Sequence, residues 1–344
     1  MDAKRRDVAA PLLDWYDRNR RDLPWRARPG DTPDPYRVWL SEVMLQQTTV
    51  ATVRPRFAAW VARWPGFADL AAADEAAVMA AWAGLGYYAR ARNLLAAARV
   101  IAAEHGGALP DTEAALRALP GFGDYTAAAV AAIAFGRRAV VVDATVERVV
   151  ARLFAIAAPL PGARRAIRAA AETITPDARA GDFAQAMMDL GSAICTSRKP
   201  RCLLCPIADR CAARAAGTPD AFPVKKPRAV RPHRYGTIFW LERDGHVLLV
   251  RRPDQGLLGG MRALPTGPWS DTPPGLAGAP VAADWRAVAA QVSHGFTHFT
   301  IDLALVRADT HHASNQGEWW PIDRLESAGL PTLFAKAAEA VRRA

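Results

Sequence analysis

The sequence predicts a multi-domain protein in which an all-helical body precedes a small α/β domain. Residues 1–216 carry Ala-, Leu- and Arg-rich segments with apolar positions three to four apart, broken by short Pro/Gly turns. Residues 217–234 hold four prolines and five Lys or Arg residues, which is typical of an exposed, basic linker. Residues 235–344 open with two β-rich runs around an Asp-Gly pair, which indicates a hairpin.

The composition favours a polyanionic partner. The chain has 344 residues, a formal net charge of +10 and an apolar fraction of 51%, so it can bury more than one core. An excess of positive charge of this size favours nucleic acid first and an anionic membrane surface second. No apolar run approaches the roughly 20 residues of a membrane-spanning helix, and the N-terminus lacks a signal-peptide pattern. We therefore expect a cytoplasmic protein with reduced thiols.

A carboxylate lies inside an otherwise apolar helical segment, "VWLSEVMLQQT". Glu42 is surrounded in sequence by Trp39, Val43 and Leu45, which favour a buried helix. Burial disfavours the charged form and raises the pKa from the roughly 4.3 of an exposed Glu, so such a residue can hold a proton near neutrality. The alternative is an ordinary helix glutamate paired with a nearby arginine.

Two further signals follow along the chain. In "LPGFGDY", Gly121 and Gly123 separate two helical segments within about 111–136, so amide groups at a helix N-terminus are left uncovered for phosphate. A plain helical corner with glycine caps explains the same pattern. Asp143 then follows four apolar residues. An acidic residue there is usually a helix N-cap, a role that is compatible with catalysis.

All four cysteines fall in one short loop, 195–211: Cys195, Cys202, Cys205 and Cys211. Four thiolates so close in sequence can surround one metal centre. Disulfides or buried thiols are less favoured in a reducing compartment. The spacing leaves a four-thiolate zinc site and an iron–sulfur cluster as open alternatives.

The whole set resembles the helix–hairpin–helix DNA glycosylases with a [4Fe–4S] cluster, and specifically the MutY-type adenine DNA glycosylases. The resemblance runs from about residue 10 to the C-terminus. It implies excision of adenine mispaired with 8-oxoguanine or guanine in double-stranded DNA, a [4Fe–4S] cluster as cofactor, and a Nudix-like C-terminal domain that recognises the mispair. It is carried by "LPWR", "VWLSEVMLQQT", "GLGYYARARNL", "LPGFG", "FAQAMMDLG" and the cysteine spacing.

The resemblance assigns roles residue by residue. Glu42 would protonate the adenine, and Asp143 would stay ionised to oppose positive charge on the sugar. Tyr125 stands where endonuclease III-like relatives have the lysine of a Schiff base, which implies a monofunctional enzyme. The residues implied for the adenine pocket are Leu23, Trp25, Arg26 and Gln185. Those implied for the opposite base and the DNA are Gln47, Thr48, Leu85, Tyr87, Gly121, Gly123, Phe296, Thr297 and His298.

Departures from the family pattern limit the interpretation. Thr145 stands where the family usually has an asparagine, so we expect one hydrogen-bond donor near the sugar to be lost. Thr266 stands where a true Nudix box has its first glutamate, so pyrophosphatase chemistry is not expected. The rival hypotheses are a bifunctional endonuclease III-like glycosylase and a non-catalytic iron–sulfur DNA-binding protein. We expect a monomer.

Overall fold

The computed structural model describes residues 8–226, 230–253, 256–311 and 316–344. Their contacts divide the chain into two compact units, Met1–Ala72 with Ala96–Pro227 and Ala73–Leu95 with Arg228–Ala344. The second unit thus joins a segment of the helical region to the C-terminal domain, a grouping that differs from the sequence-based boundaries. Among the described residues, none of the helices has both the length and the apolar composition that a bilayer crossing requires.

The helical region is built from short and medium helices joined by tight turns. They are α1 (Ala9–Asn19), α2 (Pro35–Leu45), α3 (Val50–Arg63), α4 (Phe67–Ala71), α5 (Glu75–Trp82), α6 (Ala89–Glu104), α7 (Glu113–Arg117), α8 (Asp124–Phe135), α9 (Ala144–Leu153), α10 (Arg164–Glu172), α11 (Ala180–Ala193) and α12 (Ala212–Ala215). Of these, α5 belongs to the second unit.

Side-chain caps fix where the two helices nearest the predicted site begin. Asp34 precedes α2 and accepts hydrogen bonds from the backbone N–H groups of Tyr36 and Arg37 at 2.9 and 3.3 Å. Asp143 precedes α9 and accepts from Val146 N at 2.6 Å. Each cap satisfies amide donors that a helix N-terminus leaves without partners. The caps therefore fix the residue at which each helix begins, and this determines the direction in which the following side chains point.

The turn 118–123 between α7 and α8 forms the predicted helix–hairpin–helix. Gly121 has φ +74°, a left-handed conformation that favours glycine. Phe122 between the two glycines is buried, and its ring stacks on Trp39 of α2 at 6.0 Å between centroids. This contact anchors the hairpin turn to the helix that carries Glu42.

Helix α11 approaches its neighbours closely because it has glycines at the contacts. A Cβ on Gly181 would lie 2.4 Å from the backbone oxygen of Ala132 in α8. A Cβ on Gly191 would lie 2.2 Å from Cγ2 of Thr145 in α9. These close approaches bring α8, α9 and α11 together around the region where Asp143 begins α9.

Part of the predicted linker is bonded to the first unit. Leu160 N donates to Val224 O at 2.9 Å, and Leu160 and Lys225 form an isolated β-bridge. The short 3-10 turn Pro219–Ala221 lies just before this contact. Residues 227–229 of the predicted linker lie outside the described residues.

The second unit contains a mixed sheet packed against a C-terminal helix. Its elements after the linker are β1 (His233–Arg243), β2 (His246–Arg251), β3 (Arg262–Ala263), β4 (Arg286–Gly295), β5 (Thr300–Asp309), β6 (Glu318–Pro321) and α13 (Thr332–Arg343). The order is β3-β2-β1-β5-β4, β6 pairs with β2, and only β1 and β5 are parallel among the described pairings.

The hairpin predicted at Asp244-Gly245 is present. Asp244 and Gly245 have φ of +48° and +71°, as a tight primed turn requires, and Arg243 pairs with His246 across it. Phe334 of α13 is fully buried in the core of this unit. The predicted fold class, a helical body followed by a small α/β domain, is confirmed.

Candidate active site and cluster-binding loop

One pocket in the first unit collects the residues that the sequence assigned to the adenine site. Glu42 of α2 lines this pocket. Other residues that line it are Ser41, Val38, Leu45, Ile133 and Met188. The predicted pocket residues in its lining are Leu23, Trp25, Arg26 and Gln185. Apolar walls with a few polar groups suit a planar heterocycle such as a nucleobase.

Glu42 is buried, and its pKa is raised close to neutrality. The residue is only 7% exposed, and this burial raises the pKa of Glu42 to about 7. The hydrogen bond from Tyr125 and the charge of Arg26 lower this pKa, whereas the negative charge of Asp143 raises it. The carboxyl therefore titrates in the range where a general acid works best.

Tyr125 hydrogen-bonds to Glu42 rather than packing as an ordinary helix residue. Its hydroxyl donates to Oε2 of Glu42 in a short hydrogen bond. Burial, followed by the charge of Glu42, raises the pKa of Tyr125 well above its usual value, so the phenol stays protonated and remains a donor. Tyr125 thus contacts Oε2 of Glu42 and leaves Oε1 without this contact.

Asp143 combines an N-cap with a place beside Glu42. Burial raises the pKa of Asp143, and hydrogen bonds from the Val146 amide and from the amide and hydroxyl of Thr145 oppose that rise. The expectation that Thr145 removes a donor near the sugar stays a prediction. The charge of Asp143 is felt at both Glu42 and Tyr125, so the three groups act on one another.

A buried ion pair that the sequence reasoning missed supports the pocket. Arg26 donates to both oxygens of Asp189, with NH1 2.6 Å from Oδ2 and NH2 2.9 Å from Oδ1, and Arg21 Nε lies 2.5 Å from Oδ1. Asp189 is 1% exposed. Burial alone would raise the pKa of Asp189, but the hydrogen bonds and charge of Arg26 lower it overall. A signal was present in sequence, since Asp189 follows Gln185 by one helical turn.

The residues predicted to meet the opposite base and the DNA are divided between the two units. Gln47, Thr48, Gly121 and Gly123 belong to the first. Gln47 is exposed with φ +56°, directly after the helix that carries Glu42. Gly123 precedes α8 and supplies no side-chain cap, so amides of its first turn stay open to an anion.

The other residues predicted to meet the opposite base lie in the second unit, where Tyr87 and Thr297 contact each other. The hydroxyl of Tyr87 lies 3.3 Å from Oγ1 of Thr297. Tyr87 is 49% exposed, has φ +47°, and carries Arg90 over its ring at 5.6 Å, whereas Leu85 is buried. His298 is exposed in the bend between β4 and β5, so it is not a sheet residue.

Phe296 anchors the bend that presents Thr297. Its ring stacks on Trp269 at 5.6 Å between centroids, and its amide donates to Phe299 O at 2.9 Å. Arg231 NH1 donates to the Phe296 carbonyl at 3.1 Å. Ring stacking and hydrogen bonds to the backbone therefore both hold the bend, and Thr297 within it is exposed.

The cysteine loop has the donor set of an iron–sulfur cluster. The four cysteines form no disulfide, and the charges of Cys195, Cys211 and Cys202 all act on Cys205, so the thiols are neighbours. Four free thiols in one loop are a donor set that fits a [4Fe–4S] cluster.

Family models match all three parts of the chain. Residues 40–176 match the HhH-GPD superfamily of base excision DNA repair proteins, residues 195–211 match the iron–sulfur binding domain of endonuclease III, and residues 237–340 match a NUDIX domain. The middle match identifies the cysteine loop as the site of a [4Fe–4S] cluster.

Curated relatives decide the family. An adenine DNA glycosylase from Mycolicibacterium smegmatis is 46% identical over 208 residues, which cover 60% of this chain and 70% of that protein. The chain belongs to the adenine DNA glycosylase family. The human family member is 38% identical over 322 residues, covering 77% of this chain and 59% of its own length. The chain thus spans about three-fifths of that relative, and 46% of the Arabidopsis thaliana member.

Solved structures support the family fold. A thermostable thymine-DNA glycosylase is 31% identical, with a TM-score of 0.55 over 62% of this chain and 97% of that one. An endonuclease III–DNA complex, 22% identical, shares the fold with a TM-score of 0.53 over 63% of this chain and 99% of that one. These matches establish the helical architecture of the family member described here.

We expect Asp189→Asn to destabilise the protein by about 3–5 kcal/mol, because Arg26 would remain buried without its counter-charge. Urea unfolding measures the loss. Asp182→Asn is the matched control, since Asp182 pairs with Arg179 in an exposed position and should contribute at most about 1 kcal/mol. Equal effects of the two substitutions would contradict the argument.

Glu42→Gln should stabilise the protein at alkaline pH. The raised pKa means that the folded state binds more protons than the unfolded state between about pH 4.5 and 7, so stability falls as pH rises through this window. Above this pH window, removing the titrating carboxyl recovers on the order of 3 kcal/mol of the free energy of unfolding. Thermal unfolding at both ends of the window, beside the exposed control Glu104→Gln, tests this. A pH-independent effect of Glu42→Gln would be the contrary result.

Proposed function

We propose that this chain is a monofunctional DNA glycosylase that hydrolyses the N-glycosidic bond of adenine mispaired with 8-oxoguanine or guanine. The observation that carries the proposal is a carboxyl group, Glu42, that is still protonated near pH 7 and lines a pocket for a flat base. Adenine leaves a sugar slowly unless a ring nitrogen accepts a proton. The pocket supplies that proton.

The first step is protonation of a flipped adenine. Extrusion costs a few kcal/mol of stacking and pairing, which a mispair lowers. Leu23 and Trp25 give the base an apolar surface, and Gln185 gives it an amide. With Tyr125 donating to Oε2 of Glu42, Oε1 carries the proton to the base. Transfer of this proton leaves a carboxylate that then accepts a proton from the attacking water.

Asp143 is the group that opposes the positive charge developing on the sugar. Its hydrogen bonds from Val146 N and from Thr145 favour the carboxylate form and hold it in one orientation. A fixed anion in a partly buried site interacts strongly with an oxocarbenium-like transition state. Burial raises the pKa of both carboxyls, to about 7 for Glu42, while hydrogen bonds limit the rise at Asp143, so in the proposed reaction Glu42 acts as the acid and Asp143 as the anion.

Bond cleavage ends with the release of the base. A strand-nicking glycosylase needs an amine to form an imine with the sugar, and the corresponding position here is Tyr125. The Tyr125 hydroxyl is already committed to Glu42 and its pKa lies far above neutrality. These facts support a glycosylase without lyase activity over the bifunctional alternative, and the complete acid pocket argues against a non-catalytic binder.

Two surfaces support binding to double-stranded DNA. The cluster loop carries exposed cations, including Arg198, Lys199 and Arg201, beside the cysteines. The cluster, when bound, holds this loop in one conformation, so the cations are presented together to phosphates. The open amides at the start of α8 provide a second phosphate contact.

The second unit supports recognition of the opposite base. Exposed Tyr87 is suited to enter the base stack, and the Thr297 hydroxyl beside it is suited to hydrogen-bond the edge of 8-oxoguanine. The residues assigned to catalysis, Glu42, Tyr125 and Asp143, all lie within the first unit, so we propose that the enzyme acts as a monomer.

Single-turnover release of adenine from an 8-oxoguanine duplex tests the proposed reaction. Glu42→Gln should lower the rate by at least about 10²-fold while duplex binding is retained, because the proton donor is lost. In the parent enzyme the rate should fall as pH rises through about 7, the pKa of Glu42. Tyr125→Phe removes the hydrogen bond that lowers this pKa, so the fall should move to higher pH.

The exposed control Glu104→Gln should retain the parent rate and profile. Borohydride should trap no covalent enzyme–DNA complex from the parent protein. Efficient trapping, or adenine release that survives Glu42→Gln, would overturn the proposed reaction.

Thr297→Val should reduce the preference for 8-oxoguanine over guanine opposite the adenine by a few-fold, the size expected for one hydrogen bond. Valine keeps the shape and lacks the hydroxyl, whereas the control Thr297→Ser keeps the hydroxyl. Dissociation constants and single-turnover rates on duplexes that differ only in the opposite base give the ratio. If valine and serine behave alike, the hydroxyl does not read the lesion.

A further inference from the structure

Arg152 is a buried cation tied to two separate segments of the first unit. It lies in α9 and is 2% exposed. NH1 donates to the carbonyl of Thr196 at 2.6 Å and to Sγ of Cys195 at 3.2 Å. Nε donates to the carbonyls of Pro219 and Phe222 at 2.7 and 3.1 Å. One guanidinium therefore links a cluster ligand to the segment 219–222.

The guanidinium has no carboxylate partner among the acceptors that the described residues provide; apart from the sulfur of Cys195, all are backbone carbonyls. A second cation, Arg148, lies one helical turn earlier and donates to the carbonyls of Cys195 and Gly191, each at 2.9 Å. The two positive charges repel each other. Buried cations of this kind need a negative charge nearby.

A [4Fe–4S] cluster with four thiolates supplies such a charge, since the assembly carries a net negative charge in its common states. The residue whose sulfur Arg152 contacts is a ligand of that cluster. Cations and N–H donors at cluster sulfurs stabilise the more reduced, more negative state and raise the reduction potential.

We propose that Arg152 is a positioning residue that couples the cluster to the anchoring of the segment 219–225. With the cluster bound, its charge holds the guanidinium in place, and the guanidinium holds the carbonyls of Pro219 and Phe222. The same segment makes the backbone contact between Val224 and Leu160. Without the cluster, the buried cation loses its compensation, and the chain leading toward the C-terminal domain is released from the helical unit.

Three variants of the full-length, cluster-loaded protein test the coupling. Arg152→Met removes the charge and all its hydrogen bonds. Arg152→Lys keeps the charge and loses the fork that spans both segments. Arg165→Met removes an exposed arginine of α10 as the control. The measurements are loss of visible cluster absorbance under a chelator, the reduction potential of the cluster, and trypsin cleavage after Lys225.

In Arg152→Met we expect cluster loss to be about 10-fold faster or more, the reduction potential to be lower, and cleavage after Lys225 to be faster. In Arg152→Lys cleavage should be faster although the potential stays near that of the parent. Arg165→Met should match the parent throughout. The proposal is overturned if Arg152→Met leaves both cluster retention and cleavage unchanged.

A second measurement needs no variant and remains decisive if Arg152→Met fails to fold. The parent protein is compared before and after its cluster is stripped by oxidation and chelation. We expect stripping to speed cleavage after Lys225 more than cleavage within the C-terminal domain. Equal protection of Lys225 in the stripped and loaded proteins would show that the cluster does not anchor this segment.

Discussion

The proposed chemistry depends on keeping Glu42 away from water. A carboxyl that is 7% exposed keeps its proton near neutrality, and the same group in solvent would be empty. Apolar neighbours on α2 and the stacking of Phe122 on Trp39 maintain this burial. The hairpin, whose amides we propose to contact phosphate, thus also closes the environment of the acid, so the proposed DNA binding and the raised pKa of Glu42 share one packing arrangement.

Charges buried in the first unit are each compensated in a different way. Glu42 is kept neutral, whereas Arg26 is paired bidentately with Asp189. Among the described residues, the acceptors of Arg152 are backbone carbonyls and the sulfur of Cys195, so we propose that its charge is compensated by the cofactor. A buried charge without compensation costs several kcal/mol.

Much of the site could be predicted because its signals are local in sequence. A carboxylate in an apolar helix, two glycines before a helix and four clustered cysteines each express their chemistry within about twenty residues. Asp189 could not be assigned in this way, because its partner Arg26 lies on another segment and the pairing exists only in the folded chain. The grouping of Ala73–Leu95 with the C-terminal domain likewise depends on tertiary contacts.

That grouping places the residues proposed to read the lesion and those proposed to cleave the bond in different units. Tyr87 follows a turn in which Gly84 and Gly86 have φ of +87° and +69°, and its own φ is also positive. A side chain held in this region stores strain that the surrounding contacts must offset, and such strain is common at functional sites. Trp82 Nε1 donates to the Gly86 carbonyl at 3.0 Å, and Arg90 bonds the carbonyls of Leu85 and Gly86. These bonds fix the turn, so an exposed aromatic ring is presented in a defined direction beside the Thr297 hydroxyl. In the proposed reaction the opposite base is read by groups that have no part in holding the catalytic proton, so substitutions there should alter selection among mispairs while leaving the acid pocket intact.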